Sequence, residues 1–428
     1  MKPSCHTEKQ SSKANERKSS IFLYIQRFSR YNYLEVFDVK KVAVIGVGNT
    51  KFGVRNEVNI SEMAFEATKP SLEDAGIAAK EVEFMALGSV GAGAWYEEML
   101  PAVVVAEYCG LTGAGLVRCE AACASGSAAF HVAYSAIASG QIDVAMAVGV
   151  EKMKEIDTPT AMEWIGRAGY YFWEFHNFGL TFPAYYAIHA NAYMAKYGAT
   201  EEDLALVAVK NHKYAAMNPV AHLKNRISVD DVLSSMVIAS PLKLYDCCPM
   251  TDGAASIVLA SEEKVKELHV DTPVWVAGIG VSSGTANLSK RPDYVSLEAS
   301  ALAAERAYKA AGITPNHVEV AEVHDCFTIA ELMAYEDLGF CGRGEGAKLL
   351  REGQTEIGGR IPVNMDGGLK AKGHPIGATG CSMIYELTKQ LRGEVVERSR
   401  QVPLKNYIGL AHNVGGTGHY CYVTILRR

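Results

Sequence analysis

The 428-residue chain runs through one local pattern twice. In each copy a valine-rich strand containing glycines (residues 42–48 and 274–280) precedes a helix (61–76 and 296–312). The two helices close on the same tripeptide, Ala75-Gly76-Ile77 and Ala311-Gly312-Ile313. Met63, Ala64, Ala67 and Leu72 mark the apolar side of the first helix, and glycine after the last periodic residue is a stop signal. Each copy then returns to a strand, 82–87 and 318–323. Ala124-Ser125-Gly126 opens a further helix in the first copy and Ala378-Thr379-Gly380 in the second, and the strands 252–259 and 416–425 close the copies. A repeat this long is not a solenoid. Strands alternating with helices predict an α/β fold of two mixed-sheet halves with helices on their faces.

The expected organisation is an N-terminal half over 41–270 and a C-terminal half over 271–428. Residues 151–248 interrupt the first half with material the second lacks. The insertion is rich in aromatics, among them Trp164, Tyr170, Trp173, Tyr185 and Tyr186, which serve as core, as a subunit contact or as a cover over a site. Residues 1–40 are polar, serine-rich and basic at their start, and read as a flexible extension outside the fold.

Composition narrows the class. A formal charge of −6 gives no reason to expect nucleic acid. No apolar run approaches a membrane span of about 20 residues. Ten cysteines in this length are too dilute for a disulfide scaffold and lack zinc-site spacing. The expectation is a reduced, cytoplasmic protein with no metal and no membrane contact.

Cys123 stands where an apolar run gives way to the alanine-rich helix expected over 124–139. A thiol there meets unpaired backbone N–H groups and the positive end of the helix dipole, which predicts a thiolate nucleophile. A buried structural cysteine is the bland alternative. His374 lies among five glycines in 364–380, with proline next to hold it extended. In the copy opposite the cysteine helix it reads as a base or as a donor to a thioester oxygen. His324-Asp325-Cys326-Phe327 follows the strand 318–323, at the end where ligand chemistry gathers in α/β sheets. Asp325 is expected to orient an imidazole and Cys326 to act as a second acid/base; a metal half-site and a redox pair with Cys123 are the competing readings. His412-Asn413-Val414-Gly415-Gly416-Thr417-Gly418 is a turn whose backbone N–H groups suit an oxyanion. Two motifs fail. Gly46-x-Gly48 lacks the third glycine of a dinucleotide fingerprint, and Cys123 has no Gly-x-Cys-x-Gly elbow.

The Cys123-Ala-Ser-Gly helix start, the Gly-His374-Pro turn with Gly-Ala-Thr-Gly, the closing Gly-Gly-x-Gly hairpin and the duplication together resemble the thiolase superfamily. His324-Asp-Cys-Phe327, with His412 where many thiolases carry a cysteine, is similar to the sterol-carrier-protein type and to archaeal acetoacetyl-CoA thiolases. The resemblance implies a layered α-β-α-β-α fold with an inserted loop domain, and condensation of two acetyl-CoA into acetoacetyl-CoA and CoA through an acetyl-cysteine. Cys123 would be the nucleophile, with His374, His324 and Cys326 as its catalytic partners and His412 as reserve acid/base. Backbone N–H groups of Cys123 and Gly415 would form the oxyanion hole, and Lys224 and Arg226 would meet CoA. CoA thioesters would be substrates, with no resident cofactor. The resemblance further implies a homodimer or tetramer, with hydroxymethylglutaryl-CoA synthase and a small OB-fold zinc-ribbon protein as partners, and supply of the mevalonate route to isoprenoids. Degradative cleavage of longer or sterol-derived 3-ketoacyl-CoA, and a non-catalytic lipid-transfer or scaffold subunit, are the alternatives.

Overall fold

A computed structural model describes residues 39–91 and 98–428. Apart from residues 39 and 40, the expected N-terminal extension lies outside the described residues. The first copy runs β1 (Val42–Asn49), α1 (Ile60–Ala75), β2 (Phe84–Gly88), α2 (Pro101–Tyr108), β3 (Gly115–Cys119), α3 (Ser125–Ala138) and β4 (Val144–Glu151). The insertion supplies α4 (Thr158–Gly166), α5 (Phe182–Tyr197), α6 (Glu201–Ala215), α7 (Val229–Ser234) and a small hairpin, β5 (Val237–Ala239) with β6 (Leu242–Lys243). The chain returns through β7 (Gly253–Ser261) and α8 (Glu262–Glu267). The second copy is β8 (Val274–Ser283), α9 (Glu298–Ala311), β9 (Val320–Val323), α10 (Thr328–Asp337), α11 (Gly346–Arg351), α12 (Thr379–Arg392), β10 (Ile408–Gly415) and β11 (Tyr420–Arg427).

The local signals act as their chemistry requires. Asn59 and Glu62 form a reciprocal capping box at the start of α1, and Gly76 ends it in the left-handed region at φ 68°. Gly312 ends α9 the same way at φ 65°.

Among the described residues nine strands are hydrogen-bonded in the order β3-β2-β4-β7-β1-β8-β11-β10-β9, and the order shows the duplication. In the first half β2 pairs parallel with β4, and β4 and β1 flank β7 antiparallel. In the second half β9 pairs parallel with β10, and β10 and β8 flank β11 antiparallel. Within the sheet, among the described residues, the halves are joined through Ala43↔Trp275 and Val44↔Val274, between β1 and β8. Helices α1 and α9 cover the outer faces on equivalent strands, while α3 and α12 pack on each other between the halves. This is the layered α-β-α-β-α arrangement.

The glycines of β1 and β8 seat the outer helices. A Cβ on Gly46 or Gly48 would fall 2.1 Å from Ser71 O or 2.0 Å from Ala67 O. On Gly278 or Gly280 it would fall 2.6 Å from Ala307 O or 1.9 Å from Ala303 O. Gly46-x-Gly48 is therefore a packing device that the second copy repeats.

The aromatic insertion divides by depth. Tyr185, Tyr186 and Tyr193 are fully buried, whereas Phe172, Trp173 and Phe178 face outward. Tyr186 stacks on Phe327 with ring centroids 4.7 Å apart, so α5 lies over the loop that follows β9. Among the described residues no helix is long and apolar enough to cross a membrane.

Candidate active site

Cys123 sits in the connection from β3 to α3, just ahead of the helix. Ala122 before it takes a left-handed φ of 50°, a costly conformation for a residue with a Cβ. Two side chains hold that bend. The Ser125 hydroxyl accepts from Ala121 N (2.9 Å) and donates to Ala122 O (2.7 Å), and Glu120 accepts from Ala122 N at 2.6 Å. The sequence lacks the glycines of a nucleophile elbow, yet the backbone makes a comparable bend without them.

The central helices abut at their N-termini, which brings the opposite copy to the thiol. A Cβ on Gly126 would lie 2.7 Å from Gly377 O, and one on Gly380 would lie 2.2 Å from Ser127 N. Only glycine permits this approach at both positions. The loop leading into α12 carries His374, and one ring nitrogen each of His374 and His324 lies with the Cys123 sulfur in a group spanning at most 4.8 Å. The two imidazoles meet edge to face, 5.1 Å between centroids. Cys326 borders the same apolar cavity of about 110 Å³, together with Cys123, His374, Gly416, Met153 and Phe182.

Hydrogen bonding assigns the tautomers. The Thr379 hydroxyl donates to Pro375 O (3.0 Å), so it accepts from His374 Nδ1–H (2.7 Å). The His374 Nε2 lone pair is then free, and that buried atom has no protein partner. Asn413 orients His324 the opposite way. Its amide nitrogen donates to Cys123 O (3.2 Å), which fixes the amide, and also to His324 Nδ1 (3.0 Å). The His324 proton therefore sits on Nε2, likewise buried and unpartnered. One imidazole offers a lone pair beside the sulfur and the other offers an N–H. A metal ion would need a lone pair from both, so this set suits proton transfer and hydrogen bonding better than ligation.

Electrostatics reverses one expectation. Burial pushes the Cys123 thiol up to about 12, outweighing the backbone N–H groups of Gly416 and Cys123 that pull it down. The resting residue is a thiol, because desolvation exceeds what the helix start supplies. Burial also lifts the Cys326 thiol well above its ordinary value, reinforced by the neighbouring thiols of Cys248 and Cys123. His374 is lowered to about 3 by burial and by nearby Lys372, and His324 falls well below its ordinary range by burial and the adjacent His374. The site is thus uncharged at sulfur and imidazole alike.

Other expected residues are placed differently. Asp325 reaches no imidazole; it accepts from the backbone N–H groups of Leu369 (2.7 Å) and Lys370 (3.2 Å) and from Asn211 (2.6 Å). It ties the His324–Cys326 loop to the segment before His374. His412 points across the sheet to Ser300 of α9, with its Nε2 2.8 Å from the hydroxyl. It does not border the cavity, because residues 412 and 413 alternate across β10 and Asn413 takes the inner face. In the closing turn it is Gly416, not Gly415, whose N–H reaches the Cys123 sulfur. A Cβ on Gly415 would lie 2.1 Å from Ala121 O, so Gly415 lets the turn sit against the bend. Lys224 and Arg226 are exposed and away from the cavity. Thr379 and Asn413 are the functional residues that reading the sequence missed. Strand alternation back from the Gly415 turn is the signal that points to Asn413.

The thiolase N-terminal domain pattern matches residues 42–263 and the thiolase C-terminal domain-like pattern matches residues 280–428. The acetyl-CoA acetyltransferase of Methanothermobacter thermautotrophicus is 42% identical over 390 residues, spanning 91% of this chain and 100% of the relative. Sterol carrier protein 2 of Homo sapiens is 33% identical over 399 residues, 88% of this chain and 70% of that protein. Among solved structures the Ltp2-ChsH2(DUF35) aldolase superposes with a TM-score of 0.77 at 26% identity, covering 90% of this chain and 97% of its own. Two copies of one half-fold, their helix starts joined over a cysteine and two imidazoles, and these likenesses along the same residues make the chain a member of the thiolase family, an acyltransferase.

Proposed function

We propose that the protein condenses two molecules of acetyl-CoA into acetoacetyl-CoA and CoA. The observation that carries this reading is the pair of opposed tautomers beside Cys123, a lone pair on His374 Nε2 and an N–H on His324 Nε2. Cys123 attacks the first thioester carbonyl and passes its proton to His374 Nε2. The N–H groups of Cys123 and Gly416 receive the oxyanion. Cys326, a thiol at rest, protonates the departing CoA sulfur and is left as a thiolate facing the His374 imidazolium.

That thiolate then takes an α-proton from the second acetyl-CoA. The His374 imidazolium and His324 Nε2–H hold the enolate oxygen while its carbon attacks the acetyl-cysteine. The released Cys123 sulfur recovers its proton from His374, and the site returns to its starting charge. No step calls on a resident cofactor, and CoA enters only as thioester and product. Lys224 and Arg226 are proposed to meet the CoA phosphates. Their segment is bonded to the backbone preceding His374, through His222 N to Lys372 O (2.9 Å) and Leu223 N to Ala371 O (3.0 Å).

The proposed setting is the reducing cytoplasm, in keeping with nine free thiols among the described residues, and the product is proposed to feed isoprenoid synthesis. A homodimer or tetramer is the proposed assembly. Association with a small OB-fold zinc-ribbon protein and with hydroxymethylglutaryl-CoA synthase is proposed from the family resemblance; that a similar structure, an aldolase, is named together with a DUF35 protein supports only the idea of a small partner.

The test is direct. Incubation with labelled acetyl-CoA should leave an acetyl group on Cys123, found by peptide mass spectrometry. Cys326→Ala should still acetylate but lose α-proton exchange and condensation. Folded wild-type protein that stays unlabelled would eliminate this chemistry. A second reading, cleavage of longer 3-ketoacyl-CoA, draws support from the cavity. Its ≈110 Å³ of apolar space compares with the roughly 150 Å³ cavity that admits benzene in an engineered protein. Faster turnover of longer esters than of acetoacetyl-CoA would favour it.

A further inference from the structure

The Gly416 amide sits in a turn that should be hard to hold. Gly416 and Gly418 both adopt left-handed φ, 65° and 94°, and glycine-rich backbone has wide freedom to leave such a conformation. One side chain spans the turn from outside. The Arg291 guanidinium, between β8 and α9, donates to Thr417 O and to the Thr417 hydroxyl (2.8 Å). Its other arm donates to His189 Nε2 at 3.2 Å. That nitrogen is free to accept, because Nδ1–H of the fully buried His189 is committed to Tyr294 O at 2.6 Å. A helix of the insertion is thereby braced, through Arg291, against the residue next to Gly416. Arg291 also borders a small cleft with Thr285, Asp293, Ser296, Thr417 and Gly418.

We propose that Arg291 is a positioning residue for acyl transfer: by gripping Thr417 it holds the Gly416 N–H at the point where negative charge collects on the thioester oxygen. It touches neither substrate nor sulfur and acts only through the turn. The inference rests on the thiolase chemistry proposed above.

The experiment compares full-length wild type, Arg291→Ala and Arg291→Lys in three readouts. These are single-turnover acetylation of Cys123 by acetyl-CoA, the separate kcat and KM of condensation, and alkylation of Cys123 by iodoacetamide, which reports the same N–H on sulfur without any thioester. Loss of one oxyanion donor costs about 10²–10³ in rate, so Arg291→Ala should lose acetylation by at least about 10²-fold. Its KM should stay within roughly threefold of wild type, since the interaction is made in the transition state. Alkylation should slow as well. Added guanidinium ion, admitted through the cleft, should restore part of the acetylation rate, which a general loss of structure would not allow. Arg291→Lys should behave like the alanine variant, because one ammonium cannot replace a planar fork across two acceptors.

Acetylation within roughly threefold of wild type in a folded variant, or a loss confined to KM, would overturn the proposal. If Arg291→Ala does not fold, the lysine variant decides. If wild type itself takes no acetyl group, the thiolase reading fails, and the alkylation rates still judge the brace.

Discussion

The N-terminus of α3 and the N-terminus of α12 are the same piece of structure put to two uses. Cys123-Ala124-Ser125-Gly126 in the first copy corresponds to Gly377-Ala378-Thr379-Gly380 in the second. Both segments open a central helix, and both carry a hydroxyl at the third position. In the first copy the leading residue is the sulfur nucleophile. In the second it is a glycine with no space for a side chain, since a Cβ on Gly377 would lie 2.5 Å from Val150 O. The hydroxyls have diverged too: Ser125 pins its own backbone bend, whereas Thr379 has become the acceptor that sets the His374 tautomer. Duplication supplied two equivalent helix starts, and a working site needed them to become unequal, one giving a reactive atom and the other giving room and a base.

Removing the reactive atom should have the largest effect. Cys123→Ala should lose condensation by about 10⁴-fold or more, as when a covalent nucleophile is deleted elsewhere, and should show no acetyl adduct by mass spectrometry. Filling the second copy's space comes next. Gly377→Ala drives a methyl into backbone and should destabilise by about 1–3 kcal/mol, read as a lowered urea midpoint, with slower acetylation because the two starts are wedged apart. Wild-type stability and activity in that variant would mean that the contact is not needed.

The paired hydroxyls separate function from structure. Thr379→Val should lower kcat by about 10²-fold, the low end of what a positioned base contributes, with KM little changed and activity recovered in Thr379→Ser. Ser125→Ala should act mainly on stability, by about 1–3 kcal/mol for the orphaned Ala121 N–H. Equal effects of both changes on kcat would erase the distinction.

The comparison extends to pH dependence, where the two side chains should fail at opposite ends of the scale. His374 is held near 3 against an ordinary 6.5. The unfolded chain therefore takes up a proton that the folded chain refuses, and stability drains away as pH falls from about 6.5 towards 3. Cys123 is held near 12 against 9.0, so its contribution is lost as pH rises through that interval. Unfolding midpoints across pH should flatten on the acid side in His374→Gln and on the alkaline side in Cys123→Ser. The unchanged arm in each variant is the control.

Much of this was legible without coordinates, for a definable reason. Helix periods, the Gly76 and Gly312 stops and the strand patterns are local, so they survive in one dimension, and the repeat extends them into a sheet order. Cys123, His324, Cys326 and His374 were legible because glycine-rich turns and helix starts announce where backbone comes close. What escaped depends on neighbours distant in sequence. The ionisation of Cys123 turns on how much water the opposite copy excludes. Asp325 looked like a partner for imidazole until the Leu369 and Lys370 amides proved to face it. His412 and Asn413 are adjacent letters, and only the pleat of β10 decides which one enters the site. Lys224 and Arg226 lie exposed and outside the cavity lining, a placement set by the long-range fold rather than by any local signal.

Gly126 and Gly380, set against the opposing backbone, have one more consequence. The gap between sulfur and imidazole is gauged by the thickness of peptide planes rather than by side chains, which swap rotamers and repack as sequences drift. Hydrophobic substitutions elsewhere in either copy can therefore accumulate without resetting that gauge, and the chemistry keeps its spacing while the rest of the molecule diverges.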